Sequence, residues 1–344
     1  MIFGFNIIQG IAEDTAAAIL KAAGTEPGQY TSQTPVNNAI RNLCVNRARN
    51  HYFLRVDVHA GVLLCGKETT DIQWVRPPDF DRLDESFRHH LSELFGNRCA
   101  ESLLPLRNWT LWTLVYGMEI DAEHPGDLLR VLAHTEMPSA HLIPPAAEPR
   151  EKSVSPRHLV YDAGSDDRKL FLYSKKDWLL NGKKDYRGGP VSPDAESENT
   201  LRLYLIQKRS DMGYAKRFLE KFEMSGDLYS FLHPLVVTGG FLRAYMKAIG
   251  NGDFYRYDRA MEIIDDLSHS GSRKLLTCLL QNIRQEGSVA NARLASTDKR
   301  NIQKELKLLR TAGINGALIE EQSSMEHLAN PLDEIRRKCR IYAE

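Results

Sequence analysis

The sequence predicts an α+β protein in which a mainly antiparallel sheet with flanking helices is followed by a helical C-terminal region. Segments that alternate around β-branched and aromatic residues recur from residue 51 to residue 207, which is typical of half-buried strands. From residue 214 onward these patterns stop and apolar residues follow helical spacing. Apolar residues form 42% of the 344-residue chain, so the protein can build sizeable hydrophobic cores.

The first hundred residues contain a buried strand and two helices by pattern. Residues 2–8 are mostly apolar and predict the strand. Residues 13–23 predict a helix that Gly24 ends. Residues 79–95 follow two prolines and place apolar side chains at helical spacing, which predicts an amphipathic helix.

Two further strands carry side chains suited to chemistry. Residues 51–65 alternate around β-branched residues and predict a strand, on which Asp57 and His59 share a face because they are two positions apart. Residues 109–121 have the highest aromatic and β-branched content of the chain, and they predict its strongest strand. Glu119 lies near the end of that strand.

The middle of the chain contains a break and then a hairpin. Five prolines between residues 137 and 156 exclude regular structure and predict a linker or a long surface crossing. Strand patterns on both sides of residues 162–167 predict a hairpin, and another strand pattern ends near residue 207. We therefore expect an α+β domain over residues 1–210 and a helical region over residues 211–344.

A basic segment surrounds a tyrosine at the end of this hairpin. Residues 168–187 contain seven Lys or Arg and two Asp, a net charge of +5. This charge suits a polyanion, and lysines beside Tyr173 would neutralise charge that develops on a phosphate during its transfer. The alternative is a solvent-exposed hairpin in which Tyr173 is half-buried.

Composition restricts the remaining possibilities. Lys plus Arg and Asp plus Glu number 45 each, so any affinity for nucleic acid or membranes has to come from local patches. The five cysteines are scattered without C-x-x-C spacing, which argues against a disulfide framework or a zinc site and favours a reducing cytoplasm. No segment has the charge and apolar length of an export signal or membrane span.

Residues 273–315 have the pattern of a helix-turn-helix or winged-helix unit. A helix that ends near Gly287, a short helical turn and a third helix follow one another. Ser, Thr and Asp at residues 296–298 offer N-cap side chains for the third helix, and Gly313 suits its end. Cations on this helix would face DNA in such a unit. The alternative is an all-helical bundle with a lysine-rich solvated face.

Several stretches, taken in order, are similar to motifs of one family. HYFLRVDVHA resembles an early strand, WTLWTLVYGMEID a strand after a tryptophan, RKLFLYSKKDW a strand that ends in a tyrosine followed by lysine, and LRLYLIQKR the next strand. LLRTAGINGALI and HLANPLDEI resemble a C-terminal helix and turn. Over residues 50–335 the chain thereby resembles the rolling-circle replication initiation proteins of small bacterial plasmids and filamentous phages, and related proteins of Firmicute mobile elements.

The resemblance implies a nickase that cuts one DNA strand, stays attached to the 5′ phosphate and leaves a 3′ hydroxyl to prime synthesis. By that correspondence Tyr173 is the nucleophile, and Lys175 and Lys176 hold the scissile phosphate. DNA and host replication proteins are the expected partners. The cations expected to contact DNA are Lys169, Lys183, Lys184, Arg187, Lys208, Arg209, Lys299, Arg300 and Lys304.

A tyrosine hydroxyl is a weak nucleophile at its ordinary pKa of about 10, so this chemistry needs a divalent metal or nearby cations. The chain departs from the family's motifs here, because Thr113 and Val115 stand where an arginine and an aspartate are expected, and Tyr204 replaces a frequent glutamate. The alternative for the acids that remain is a solvated strand end or a surface salt bridge. The candidate ligands for Mg²⁺ or Mn²⁺ are Asp57, His59 and Glu119.

Three functions stay open at this point. The first is an active nickase and replication initiator. The second is a non-catalytic DNA-binding relative that has lost metal-dependent cleavage and regulates replication or transcription. The third, an interaction protein without a DNA function, is favoured only by the zero net charge. A nucleophile retained without its metal ligands would favour the second.

Overall fold

The computed structural model describes residues 1–31, 37, 39–66, 72, 74–135, 138–141, 158–165, 168–176, 199–267, 269–296 and 299–344. An eight-stranded sheet organises this part of the chain. Its strands are β1 (Ile2–Ile11), β2 (Ile40–Ala48), β3 (His51–His59), β4 (Thr110–Asp121), β5 (Pro138–His141), β6 (His158–Ser165), β7 (Arg168–Ser174) and β8 (Thr200–Lys208). They lie in the order β2-β3-β1-β4-β8-β7-β6-β5, and every neighbouring pair is antiparallel.

Helices flank the sheet and make up most of the C-terminal half of the described chain. They are α1 (Glu13–Ala23), α2 (Ala60–Cys65), α3 (Phe80–Phe95), α4 (Asn97–Glu101), α5 (Pro125–Leu132), α6 (Gly213–Lys221), α7 (Leu228–Leu232), α8 (Pro234–Ala248), α9 (Tyr257–Asp265), α10 (Ser270–Glu286), α11 (Val289–Ala295), α12 (Lys299–Thr311) and α13 (Leu332–Ala343).

One face of the sheet is covered by helices, which bury its apolar side chains. Phe87 of α3, Phe241 of α8 and Ile335 of α13 belong to the same buried cluster as Leu54 of β3 and Leu114 of β4. Because strand side chains alternate, the positions between these residues point to the opposite face. We call that opposite face, which carries Asp57 of β3 and Thr113 of β4, the second face of the sheet.

A smaller sheet and four helices form a second core. Strands β9 (Asp253–Arg256), β10 (Ile314–Ile319) and β11 (His327–Leu328) lie in the order β10-β9-β11. Helices α9 to α12 enclose a hydrophobic cluster of their own, to which Ile264, Leu280, Ala292 and Leu306 contribute. The next helix, α13, returns to the large sheet, where Lys338 Nζ donates a hydrogen bond to the backbone oxygen of Glu119 at 2.6 Å.

The α+β class, with an antiparallel sheet and a helical C-terminal region, is confirmed. Three details are wrong. Residues 60–65 form helix α2 rather than the end of a strand, because the His59 side chain caps this helix. Short strands do follow residue 214. In the proline-rich stretch, Pro138–His141 form edge strand β5, a position where proline is tolerated because one side of the strand needs no partner.

The described part of the chain contains no helix that is both long enough and apolar enough to cross a membrane.

Candidate functional site

Tyr173 lies in a cluster of aromatic and charged side chains on the second face. It is near the end of β7, directly opposite Arg202 of β8. Its ring stacks on the ring of Tyr204 with centroids 5.9 Å apart, and Phe3 meets Tyr204 edge-on at 5.3 Å. Only 3% of Tyr173 is exposed, so its hydroxyl is enclosed in the cluster.

The electrostatics of this cluster favour a neutral tyrosine. Burial raises the pKa of Tyr173 well above its ordinary value, and the nearby Tyr204 adds to this, although the neighbouring Arg202 acts in the opposite direction. Burial disfavours the charged form of Arg202, but Tyr204, Tyr173 and Glu119 more than offset this and raise its pKa. Arg202 therefore stays cationic beside a protonated Tyr173.

Glu119 is the counter-ion of two buried cations. Arg202 Nε donates to Glu119 Oε1 at 2.6 Å, and Arg202 Nη2 donates to the same oxygen. Lys175 Nζ lies 3.5 Å from that oxygen. Lys175 is 6% exposed and Arg202 is 1% exposed. Lys175, predicted to hold a scissile phosphate, is therefore buried against a carboxylate of its own chain, and Lys176 beside it is half-buried.

The three predicted metal ligands are not brought together. Asp57 is in register with Asn6 of β1, which is in register with Thr113 of β4. Glu119 lies six residues further along β4, which corresponds to about 20 Å at the rise of an extended strand. Ligands of one Mg²⁺ or Mn²⁺ ion need to lie within a few ångströms of each other, so this arrangement excludes a shared ion. Within the described residues, no three His, Cys, Asp or Glu side chains converge on a metal position.

His59 has a structural role at the end of β3. Its Nδ1 accepts a hydrogen bond from the backbone amide of Val62 at 3.3 Å and so caps α2. Burial, followed by the positive charge of Arg41, lowers the pKa of His59 to about 3. The imidazole is therefore neutral at physiological pH, packed against Phe3 with ring centroids 5.0 Å apart.

A polar cleft occupies the second face at the other end of β4 from Glu119. It has a volume of about 340 Å³. The side chains that line it come from four adjacent strands and are Asn6, Arg41, Asn42, Arg55, Asp57, Thr113 and Val115. Two guanidinium groups face one carboxylate there, so the lining carries excess positive charge.

Two aromatic rings lie close to one of these arginines. The Arg55 guanidinium lies 5.5 Å from the ring centre of Tyr30 and 5.3 Å from that of Trp112. Arg55 Nε also donates to Asn6 Oδ1 at 2.7 Å, which fixes the guanidinium in place. Tyr30 is 50% exposed and Trp112 is 43% exposed. The chain thus presents two large aromatic surfaces to solvent beside a positioned arginine.

The helix-turn-helix pattern corresponds to helices α10, α11 and α12. Ser288 caps α11 by accepting a hydrogen bond from the amide of Asn291 at 3.1 Å. Ile302, Leu306 and Leu309 anchor α12 in the second core. Gly313 follows α12 with φ +84°, as expected for the residue that ends a helix.

The opposite side of α12 is basic. Arg300, Lys304 and Lys307 are exposed and recur at helical spacing. Neither Lys304 nor Lys307 forms an ion pair with another described residue. A groove of about 540 Å³ runs beside them. Its lining consists of Asn251, Gln303, Lys304, Lys307, Arg310 and Thr311.

No protein-family model and no curated protein matches this chain.

The other cations predicted to contact DNA are distributed over both regions. Lys169 of β7 and Lys208 of β8 are exposed. Arg209 is exposed as well, with its guanidinium over the ring of Phe231 at 5.3 Å. For Lys299 the backbone alone is described, at the start of α12. Lys183, Lys184 and Arg187 lie outside the described residues.

Sequence reasoning missed the polar cleft and the exposed rings beside it. Strict alternation along β4 would bury Trp112 together with Leu114, but the β1–β4 register shifts between Asn6 and Ile7. An irregularity of this kind interrupts the alternation, so a side chain that would otherwise be buried points to the other face of the sheet. Arg41 belongs to β2, a strand whose residues do not alternate clearly between apolar and polar side chains. The only available signal was the spacing of Arg55 and Asp57, which placed both on one face.

Proposed function

We propose that this protein binds duplex DNA through helix α12, as a replication initiator-like protein that has kept DNA recognition. The observation that carries this proposal is the two-sided character of α12. Its apolar stripe is buried against α10 and α11, and its opposite side presents Arg300, Lys304 and Lys307 to solvent. A helix held in this way has the width and charge to enter a major groove.

The surroundings of α12 support a role for the helix itself rather than for the adjacent β10–β11 loop. That loop carries Glu320, Glu321 and Glu326, and Glu321 and Glu326 form ion pairs with Arg284 and Arg256. Acidic side chains would repel phosphates. The groove beside Lys304 and Lys307 is basic, so we expect phosphate contacts there.

Within this proposal the protein binds DNA without cutting it and regulates replication or transcription. Burial of Tyr173 and its raised pKa oppose nucleophilic attack. Glu119, the acid nearest to Tyr173 among the proposed ligands, is engaged by Arg202 and Lys175. We also propose that the protein is cytoplasmic and contacts host replication proteins.

Strand cleavage is a second candidate, and one observation favours it. Tyr173 lies directly opposite Arg202, and a fixed guanidinium beside a tyrosine hydroxyl would stabilise charge on a transferring phosphate. In that case Mg²⁺ or Mn²⁺ would be needed, and ligands other than the trio of Asp57, His59 and Glu119 would have to hold it.

The test of duplex binding is a double substitution on α12. Lys304→Ala with Lys307→Ala should weaken binding of a labelled duplex from the chain's own genetic neighbourhood by about tenfold, and the salt dependence of log K should flatten by about two. The control removes the same charge elsewhere, by Lys216→Ala with Lys247→Ala, at two exposed lysines of α6 and α8. Equal affinities and equal salt slopes for the two double variants would overturn the role of α12.

Cleavage is tested separately. The protein is incubated with supercoiled and single-stranded DNA in Mg²⁺ or Mn²⁺, and a covalent adduct is sought on a denaturing gel. An adduct that is absent in Tyr173→Phe would establish the second candidate. Shifted DNA on a native gel without any adduct supports the non-catalytic function.

A further inference from the structure

We propose that the second face of the large sheet holds a binding site for single-stranded DNA, with Trp112 and Tyr30 as stacking surfaces for unpaired bases and the adjacent cleft as the phosphate site. The inference rests on the proposed function in that both take DNA as the partner. It uses a different surface, which belongs to the large sheet and not to the core around α12.

The aromatic component of this site is already arranged for stacking. The ring centres of Tyr30 and Trp112 lie 5.5 and 5.3 Å from the Arg55 guanidinium, and about half of each residue's surface is exposed. An exposed ring next to a positioned guanidinium gives a base a flat apolar surface and a cationic edge. Stacking of this kind accepts any base, because every base has a π-face.

The polar component fits a phosphodiester. The cleft beside Arg55 is lined by a second arginine, Arg41, and by the neutral side chains of Asn6, Asn42 and Thr113. Amide and hydroxyl groups donate hydrogen bonds to phosphate oxygens without adding charge. Asp57 is the one carboxylate in the lining, so positive charge predominates and an anion is the complementary ligand.

Cations continue from the cleft across the neighbouring strands. Thr113 of the cleft is in register with Lys208 of β8. Lys169 of β7 is in register with Ile206, which shares a face with Lys208. From β3 to β7 the track crosses four inter-strand steps, about 19 Å. A track of this length perpendicular to the strands suits an extended single strand. The bases of a duplex are paired and stacked inside it, so they are not available to stack on the rings of Trp112 and Tyr30.

The test measures binding of a labelled oligothymidylate of about 12 nucleotides by fluorescence anisotropy. Trp112→Ala should weaken binding about tenfold, and Trp112→Phe should restore most of the affinity because a phenyl ring still stacks. Trp74→Ala is the matched control, since Trp74 is also 43% exposed and also lies 5.6 Å from an arginine, Arg76, outside the cleft. Circular dichroism of each variant verifies folding.

The outcomes separate this site from α12. Weaker oligothymidylate binding in Trp112→Ala, with duplex binding unchanged, supports the proposal. Equal oligothymidylate affinity of Trp112→Ala and Trp74→Ala overturns it, even when the α12 lysines prove essential for duplex binding. Failure of the unmodified protein to bind either DNA would overturn both proposals together.

Discussion

Tyr173 and Arg202 occupy directly opposed positions on β7 and β8, and both are almost fully buried. The tyrosine that the sequence predicts to be a nucleophile is thus a buried member of a packed cluster. Its raised pKa keeps the hydroxyl protonated, and the adjacent guanidinium is held by Glu119. The same two residues that would serve cleavage therefore also form part of the core of the second face.

Tyr173→Phe should fold normally and keep its affinity for DNA. Removing one buried hydroxyl while keeping the ring should change the free energy of unfolding by no more than about 1.5 kcal/mol. Urea denaturation followed by tryptophan fluorescence measures the stability, and anisotropy with a labelled duplex measures the binding. A loss of DNA affinity in a folded Tyr173→Phe variant would contradict the assignment of duplex binding to α12.

Glu119→Gln should destabilise the protein by about 3 kcal/mol, because it leaves the buried charges of Arg202 and Lys175 without their carboxylate. The amide still accepts a hydrogen bond, so the loss reports charge rather than shape. The free energy of unfolding in urea is the measurement. The control is Asp333→Asn on α13, because Asp333 is an exposed acid that forms an ion pair with Arg336 of the same helix. This substitution should change the free energy of unfolding by less than about 1 kcal/mol.

The double variant Glu119→Leu with Arg202→Leu tests whether the stability lost in Glu119 variants comes from the broken pair with Arg202 or from another effect of Glu119. Replacing both partners by apolar side chains removes the uncompensated charge of Arg202 and leaves only that of Lys175, so part of the lost stability should return. Additive losses in the double variant would show that the two side chains do not act as a pair.

Some of this architecture was accessible from the sequence. Alternation revealed β3, β4, β7 and β8, because each buries one set of side chains against helices and turns the other set to the second face of the sheet. The capped α12 was accessible from its apolar stripe and from Gly313. Strands β9 to β11 have two to six residues each, which is too short for a period to appear, and their pairing partners are distant in the chain.

The side-chain partners were not accessible in the same way. Spacing correctly placed Asp57 with His59 on one face and Lys175 after Tyr173. It did not indicate that Glu119 lies six residues along β4 from Thr113, the β4 residue that is level with Asp57. That distance depends on how β1 pairs with both β3 and β4. Strand register is set by packing over the whole sheet. Asp57 of β3 therefore lies level with Thr113 near one end of β4, and Glu119 lies near the other end.

The buried His59 should make stability depend on pH. Its pKa is about 3 in the folded protein and 6.5 as the ordinary value, so between these values the unfolded chain binds more protons. Stability is therefore complete above about pH 6.5 and falls as the pH drops toward 3, by up to about 1.4 kcal/mol per pH unit. His59→Asn should remove this slope while keeping a side chain that caps α2.

Urea unfolding at a series of pH values between about 4 and 7.5 measures this effect. The same substitution at His51, whose side chain is exposed, is the control for the loss of a histidine as such. A pH slope that is the same in His59→Asn as in the unmodified protein would show that other groups cause the acid sensitivity.

Gly117→Ala should be among the most destabilising single substitutions in β4. Gly117 lies opposite Tyr204 on β8, and a Cβ at this position would overlap the backbone oxygen of Leu203 and lie 3.0 Å from the Tyr204 ring. The backbone cannot move away without disturbing the central β4–β8 pairing, so we expect a loss of about 3 kcal/mol or more. Because the Tyr204 ring would shift, its stacking with Tyr173 should be disturbed as well.

Gly126→Ala in α5 is the matched control, since a Cβ there meets nothing within 4 Å, and it should be neutral or stabilise the protein by about 0.5 kcal/mol. Thermal and urea unfolding of the two variants side by side measure the difference. Equal stabilities would show that β4 and β8 approach each other less closely at Gly117 than the register indicates.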